Sequence, residues 1–211
     1  MSSIKLCGLS RFEDVAAVNA ALPDYAGFVF ASSRRQVDAT RARRLRAKLD
    51  ERIVPVGVFV DAPVAEVVAL CREGVIAMVQ LHGKESEAYI DELKAACKVP
   101  VIKALRVGGG EQGACGLSSY EQGAYAQADF LLFDGAKPGS GQSFDWSGLG
   151  RIHRPYFLAG GINLHTIEAA LALEPYGIDV SSGIETEGRK DCEKMLKIVS
   201  LVHNYSERKG A

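Results

Sequence analysis

The sequence predicts an α/β protein, a single (β/α)8 TIM barrel with a parallel eight-stranded sheet occupying residues 1–211 as one domain. Three observations predict it. Apolar runs of strand length alternate with helical patterns from end to end. The runs are apolar almost throughout, as expected of parallel strands covered on both faces. No linker-like break divides the chain, and eight βα units in 211 residues match the short end of the barrel's size range. An open doubly wound sheet is the competing architecture, but no GxGxxG follows the first apolar run.

The first strand is read at Ile4 to Leu9, with a helix over Arg11 to Leu22. Ala26 to Phe30 follows, then the basic loop Ser33-Arg34-Arg35-Gln36 and a helix over Thr40 to Leu49. The third unit is Val54 to Val60 with a helix from Pro63, a residue suited to a first turn, to Glu73. The fourth pairs Ala77 to His82 with a helix over Ser86 to Cys97, and the fifth begins with a strand over Val99 to Leu105. A Gly-rich loop, Gly108 to Gly116, then leads to a short helix over Ser118 to Gln127. The sixth strand, Asp129 to Phe133, ends at Asp134 and a loop carrying Gly135, Pro138, Gly139 and Gly141, closed by Phe144 and Trp146. Glycine accepts backbone angles and approach distances that other residues cannot, so this loop suits a mobile cover over Lys137 to Ser143. A short helix near Ser147 to Ile152 follows. The seventh unit pairs Tyr156 to Gly161 with a helix over Asn163 to Leu173. The eighth pairs Gly177 to Ser182 with a helix over Asp191 to Tyr205, ahead of a frayed tail from Ser206.

Composition narrows the function. Apolar residues make up 47% of the chain and the formal net charge is −1, which points to neither nucleic acid nor membrane. The amino-terminal residues lack the form of a signal peptide, and no apolar run approaches the ~18 residues of a membrane span. A cytoplasmic location is expected, with a monomer or homodimer as the assembly. The five cysteines show no metal spacing, and an odd count suits a reducing compartment. Cys71, Cys97 and Cys192 read as small core hydrophobes, whereas Cys115 lies in a Gly-rich loop without evident role.

In this architecture the carboxyl ends of the strands meet around one pocket. Those ends supply Cys7, the Arg34-Arg35 loop, Asp61, His82, Arg106, Asp134, Gly160-Gly161 and Ser181-Ser182-Gly183. Loops after strands seven and eight commonly bind phosphate, and two Gly-containing loops fall there. Cys7 and Asp134 form a candidate base and acid; the thiol would act as thiolate and the carboxyl as proton donor. Arg35 can clamp a carboxylate or phosphate bidentately, and His82 is a candidate third acid/base group that would contact the substrate. Lys103 raises a Schiff-base aldolase alternative. A phosphosugar-binding protein without turnover is the non-enzymatic alternative.

The stretches Lys5-Leu6-Cys7-Gly8-Leu9, Gly27-Phe28-Val29-Phe30, Ser33-Arg34-Arg35-Gln36-Val37, Val56-Gly57-Val58-Phe59-Val60 and Val79-Gln80-Leu81-His82-Gly83 continue in the loop from Asp134 to Trp146. Ala159-Gly160-Gly161-Ile162 and Asp179-Val180-Ser181-Ser182-Gly183-Ile184-Glu185 complete an ordered set. By this set the chain resembles the phosphoribosylanthranilate isomerase family of tryptophan biosynthesis over essentially its full length. The resemblance implies a cofactor-independent, metal-free Amadori rearrangement with Cys7 as general base and Asp134 as general acid. It implies Arg35 on the anthranilate carboxylate and Asp179 near the ring and amine. Gly160, Gly161, Ser181, Ser182 and Gly183 would hold the phosphate. Two departures stand out. The loop between Phe30 and Arg35 is a residue shorter than in many relatives, and Gly139-Ser140-Gly141-Gln142-Ser143 replaces the usual Gly-Gly-Thr-Gly run.

Overall fold

The computed structural model describes residues 2–107, 124–135 and 152–210, with side chains except at 107 and 206–210. Eight parallel strands close a barrel in chain order. They are β1 (Ser3–Cys7), β2 (Tyr25–Val29), β3 (Val54–Phe59), β4 (Met78–Leu81), β5 (Val101–Val107), β6 (Phe130–Gly135), β7 (Tyr156–Leu158) and β8 (Gly177–Val180). Closure comes from β1 pairing with β8, with Lys5 in register opposite Asp179. The described helices are α1 (Phe12–Ala21), α2 (Ala39–Arg46), α3 (Val64–Arg72), α4 (Glu87–Ala96), α5 (Ile167–Leu171) and α6 (Cys192–Gly210). A small antiparallel ribbon, β9 (Glu185–Thr186) with β10 (Arg189–Lys190), precedes α6.

Short polar side chains start the helices where the sequence offers them. Ser86 Oγ accepts from Tyr89 N at 3.2 Å to begin α4, and Asp38 Oδ1 accepts from Arg41 N at 2.6 Å to begin α2. Such caps satisfy amides that have no partner within the helix. Two apolar layers result. Leu131, Phe133, Leu158 and Ile178 face the helices, and Tyr25, Val56, Met78, Ile102, Leu132 and Phe157 fill the barrel floor. Phe157 meets Tyr25 and Phe130 edge-on, at 5.5 and 5.6 Å between ring centroids.

Several boundaries differ from expectation. Pro63 is the cap residue before α3 rather than its first turn. The helix expected from Asn163 starts only at Ile167, because Asn163 and Thr166 are bonded within the loop: Asn163 Oδ1 accepts from His165 N and Thr166 Oγ1 from Asn163 N. The strand runs of units seven and eight stop short of their glycines and serines, while β6 continues through Asp134. The tail from Ser206, expected to fray, continues α6 to Gly210. Cys192 is exposed at the start of α6 and is no core residue, whereas Cys71 and Cys97 are partly buried against the outer core. The loop at Gly108 to Gly116, Cys115 and the expected cover over Lys137 to Ser143 lie outside the described residues. So do most of the short helices expected at Ser118 to Gln127 and Ser147 to Ile152; residues 124–127 form a turn.

Candidate active site

Alternation along a strand aims every second residue at the same face. Leu132 lies in the floor, so Asp134 faces inward at the mouth; Met78 does the same for Gln80 and His82. The mouth holds a cavity of about 830 Å³. Every predicted site residue except Gly183 lines it: Cys7, Arg35, His82, Asp134, Gly160, Gly161, Asp179, Ser181 and Ser182. Gly183 instead sits in the loop after β8 where it meets Ile162 and Asn163 of the loop after β7. A Cβ there would stand 1.9 Å from Ile162 O, so only glycine lets the loops after β7 and β8 touch.

Cys7 ends β1, 7% exposed. Burial pushes its thiol above the ordinary value; Lys5 and Lys190 pull it down, and Asp179 pushes it up. Lys5 is wholly buried and donates to both oxygens of Asp179 at 2.9 Å. Burial opposes its charge, yet Asp179 and Cys7 outweigh burial and its pKa lies above the ordinary lysine value. Lys190, on the ribbon, is shifted down by burial although Glu185 opposes the shift.

Asp134 meets His82, whose Nε2 stands 3.3 Å from Asp134 Oδ2, while His82 Nδ1 is 3.0 Å from Gln80 Nε2. The other oxygen borders the loop after β7: a Cβ on Gly160, which has φ +87°, would stand 2.9 Å from Asp134 Oδ1 and 2.5 Å from Gly135 N. Gly160 thus lets the Asp134 carboxyl lie close against the loop after β7. Across the mouth, Ser181 Oγ donates to Cys7 O at 3.3 Å, tying the second loop to the thiol's own backbone.

Glu185 is the residue that sequence reasoning quoted but gave no task. Its carboxylate accepts from Arg35 Nε at 2.6 Å and Nη2 at 3.0 Å, pairs with Lys190 at 2.9 Å, and accepts from Arg34. Burial works against the charge, but Arg35 and Lys190 hold its pKa below the ordinary value. Of the two arginines, Arg35 lines the cavity and its side chain is 21% exposed against 56% for Arg34. The only advance signal was a carboxylate following the second Gly-containing loop. Lys103, the aldolase candidate, has its ammonium committed to Glu85 at 2.6 Å and Gly83 O at 2.8 Å.

Fold and cavity define a class: a (β/α)8-barrel enzyme with acid/base groups and two glycine-containing loops around one mouth. The family profile described as N-(5'phosphoribosyl)anthranilate (PRA) isomerase matches residues 4–201. An N-(5'-phosphoribosyl)anthranilate isomerase of Endomicrobium trichonymphae is 46% identical over 209 residues, covering 97% of this chain and 100% of the relative. One of Lactiplantibacillus plantarum is 42% identical, covering 96% and 93%. The crystal structure of the phosphoribosyl anthranilate isomerase from Thermus thermophilus superposes with a TM-score of 0.82 at 34% identity, covering 97% of this chain and 100% of that one. The chain belongs to the N-(5'-phosphoribosyl)anthranilate isomerase family and is an isomerase of tryptophan biosynthesis.

Proposed function

We propose that the chain converts N-(5-phosphoribosyl)anthranilate to 1-(2-carboxyphenylamino)-1-deoxyribulose 5-phosphate with Asp134 as acid and Cys7 as base. Asp134 protonates the ribose ring oxygen, and the ring opens to an iminium ion. Cys7, as thiolate, removes the proton from C2, and the resulting enolamine tautomerises to the ketone. The electrons stay within the substrate, so no redox partner enters. The observation that carries this reading is the placement of Cys7 and Asp134 around one cavity with the loops after β7 and β8. One related structure, at 26% identity and TM-score 0.78, is a complex with reduced 1-(o-carboxyphenylamino)-1-deoxyribulose 5-phosphate, which supports a ligand of this kind.

Gly160, Gly161, Ser181 and Ser182 would hold the phosphate, with Gly183 permitting the contact between their loops. Arg35, steadied by Glu185, would meet the anthranilate carboxylate, and Asp179 the ring and amine. Remote phosphate binding then fixes the reacting carbons between acid and base, lending binding energy to the chemical step. The free thiols of Cys7, Cys71, Cys97 and Cys192 support a cytoplasmic location.

The test is a fluorescence assay following loss of phosphoribosylanthranilate. Turnover is expected from the native chain, and kcat should fall about 10²–10⁴-fold in Cys7→Ser and in Asp134→Asn. Near-native rates in both variants would refute the assignment.

A further inference from the structure

We infer that Gln80 is a positioning residue: it sets the tautomer of His82 and thereby fixes which oxygen of Asp134 carries the proton given to the substrate. The inference rests on the reading of Asp134 as the acid.

Gln80 and His82 stand two residues apart on one strand face, and both ring nitrogens of His82 are engaged. An amide nitrogen only donates, so Gln80 Nε2 requires an unprotonated Nδ1 and leaves the ring proton on Nε2. That nitrogen lies 3.3 Å from Asp134 Oδ2, a polar contact short of an aligned hydrogen bond. The two ends of the imidazole agree. Gln80 is 1% exposed, and its Oε1 accepts no hydrogen bond from the described residues. Turning the amide over would give that oxygen a partner only by moving the ring proton to Nδ1. It would also leave both N–H bonds of the amide without a partner among the described residues and, once Asp134 has given up its proton, set a bare Nε2 against the carboxylate. The arrangement in place leaves the amide oxygen and one N–H without a partner among the described residues, and keeps a donor facing Asp134.

The consequence falls on Asp134. The positive end of the His82 N–H dipole faces Oδ2, with Nε2 at 3.3 Å, and disfavours a proton there, so the transferable proton sits on Oδ1, the oxygen beside Gly160. When that proton moves to the ribose oxygen, the carboxylate gains a negative charge that the fixed N–H already faces. A donor aimed at charge that develops only during the reaction lowers the barrier without tightening substrate binding.

The test uses Gln80→Glu, nearly the same shape but acceptor-only at neutral pH, and Gln80→Met, which can do neither. Nitrogen NMR of histidine-labelled protein reads the tautomer, with His82→Gln assigning the signal, and kcat and KM are measured separately. The unliganded native chain should carry the His82 proton on Nε2. Gln80→Glu should draw a proton onto Nδ1 and lower kcat about tenfold or more with KM nearly unchanged. Gln80→Met should mix the tautomers with a smaller loss, and it carries the test if Gln80→Glu does not fold. A native Nδ1 proton, or a tautomer unchanged in the variants, overturns the inference whatever happens to kcat. An altered tautomer with native kcat overturns it too. A native chain that leaves phosphoribosylanthranilate unconverted would instead sink the proposed reaction, while the tautomer signal would still decide the role of Gln80.

Discussion

Two buried lysine–carboxylate pairs flank the barrel mouth, and they do different things. On the β4–β5 side, Lys103 reaches Glu85 and the carbonyl of Gly83. Glu85 in turn accepts from the backbone of Asp61 at 2.9 Å and of Gly83 at 3.0 and 3.1 Å. This pair fastens the loops after β3 and β4 to β5. On the β1–β8 side, Lys5 and Asp179 bond side chain to side chain, and their common neighbour is the Cys7 thiol. The same two chemical groups are a fastener in one place and an electrostatic setting in the other. The neighbours decide which.

The comparison breaks most visibly in stability. Lys103→Met leaves Glu85 charged and unpaired in a buried site, so urea unfolding should show a loss of about 3–5 kcal/mol. Turnover by the molecules that remain folded should stay close to native; a collapse of kcat at full stability would make Lys103 chemical after all.

The other pair should reveal itself in the thiol. Alkylation follows the thiolate, and burial already places its rise with pH above the ordinary thiol range. Removing the Lys5 charge removes an interaction that lowers the Cys7 pKa. In Lys5→Met the rise should therefore move to higher pH, by about one unit or tenfold at fixed pH. Asp179→Asn removes a charge that raises it, so the rise should move the opposite way. Mass spectrometry of the Cys7 peptide checks both without reference to turnover, and shifts of the same sign would dissolve the distinction between the pairs.

The smallest effect belongs to the rim. Arg34 is half-exposed, and Arg34→Ala should cost no more than about 1 kcal/mol in unfolding. Arg35→Ala should be comparably mild in stability yet raise KM, since Arg35 alone of the two lines the cavity. Equal KM changes would reassign the carboxylate contact.

Most of this architecture is legible in the sequence because it is local. Apolar runs bounded by Gly and polar residues mark the strands, and strand ends mark the mouth, so Cys7 and Asp134 can be found without coordinates. What stays hidden depends on closure. Lys5 and Asp179 are 174 residues apart and meet only because β1 pairs with β8. Glu185 reaches Arg35 from 150 residues away through the ribbon, which periodicity does not announce. Gln80 was visible as a residue, but its task is set by the direction of one amide. α5 lies within the expected helix but starts at Ile167 rather than Asn163, because Asn163 and Thr166 bond within the loop that reads as a helix start.

The Glu185 cluster has a consequence for encounter rather than for chemistry. Three cations, Arg34, Arg35 and Lys190, share one carboxylate, so this side of the rim keeps surplus positive charge beside the cavity. An anionic molecule drifting past feels that surplus over about 8 Å at physiological salt. Capture by the mouth should then slow as ionic strength rises, while the rate of the captured complex does not change.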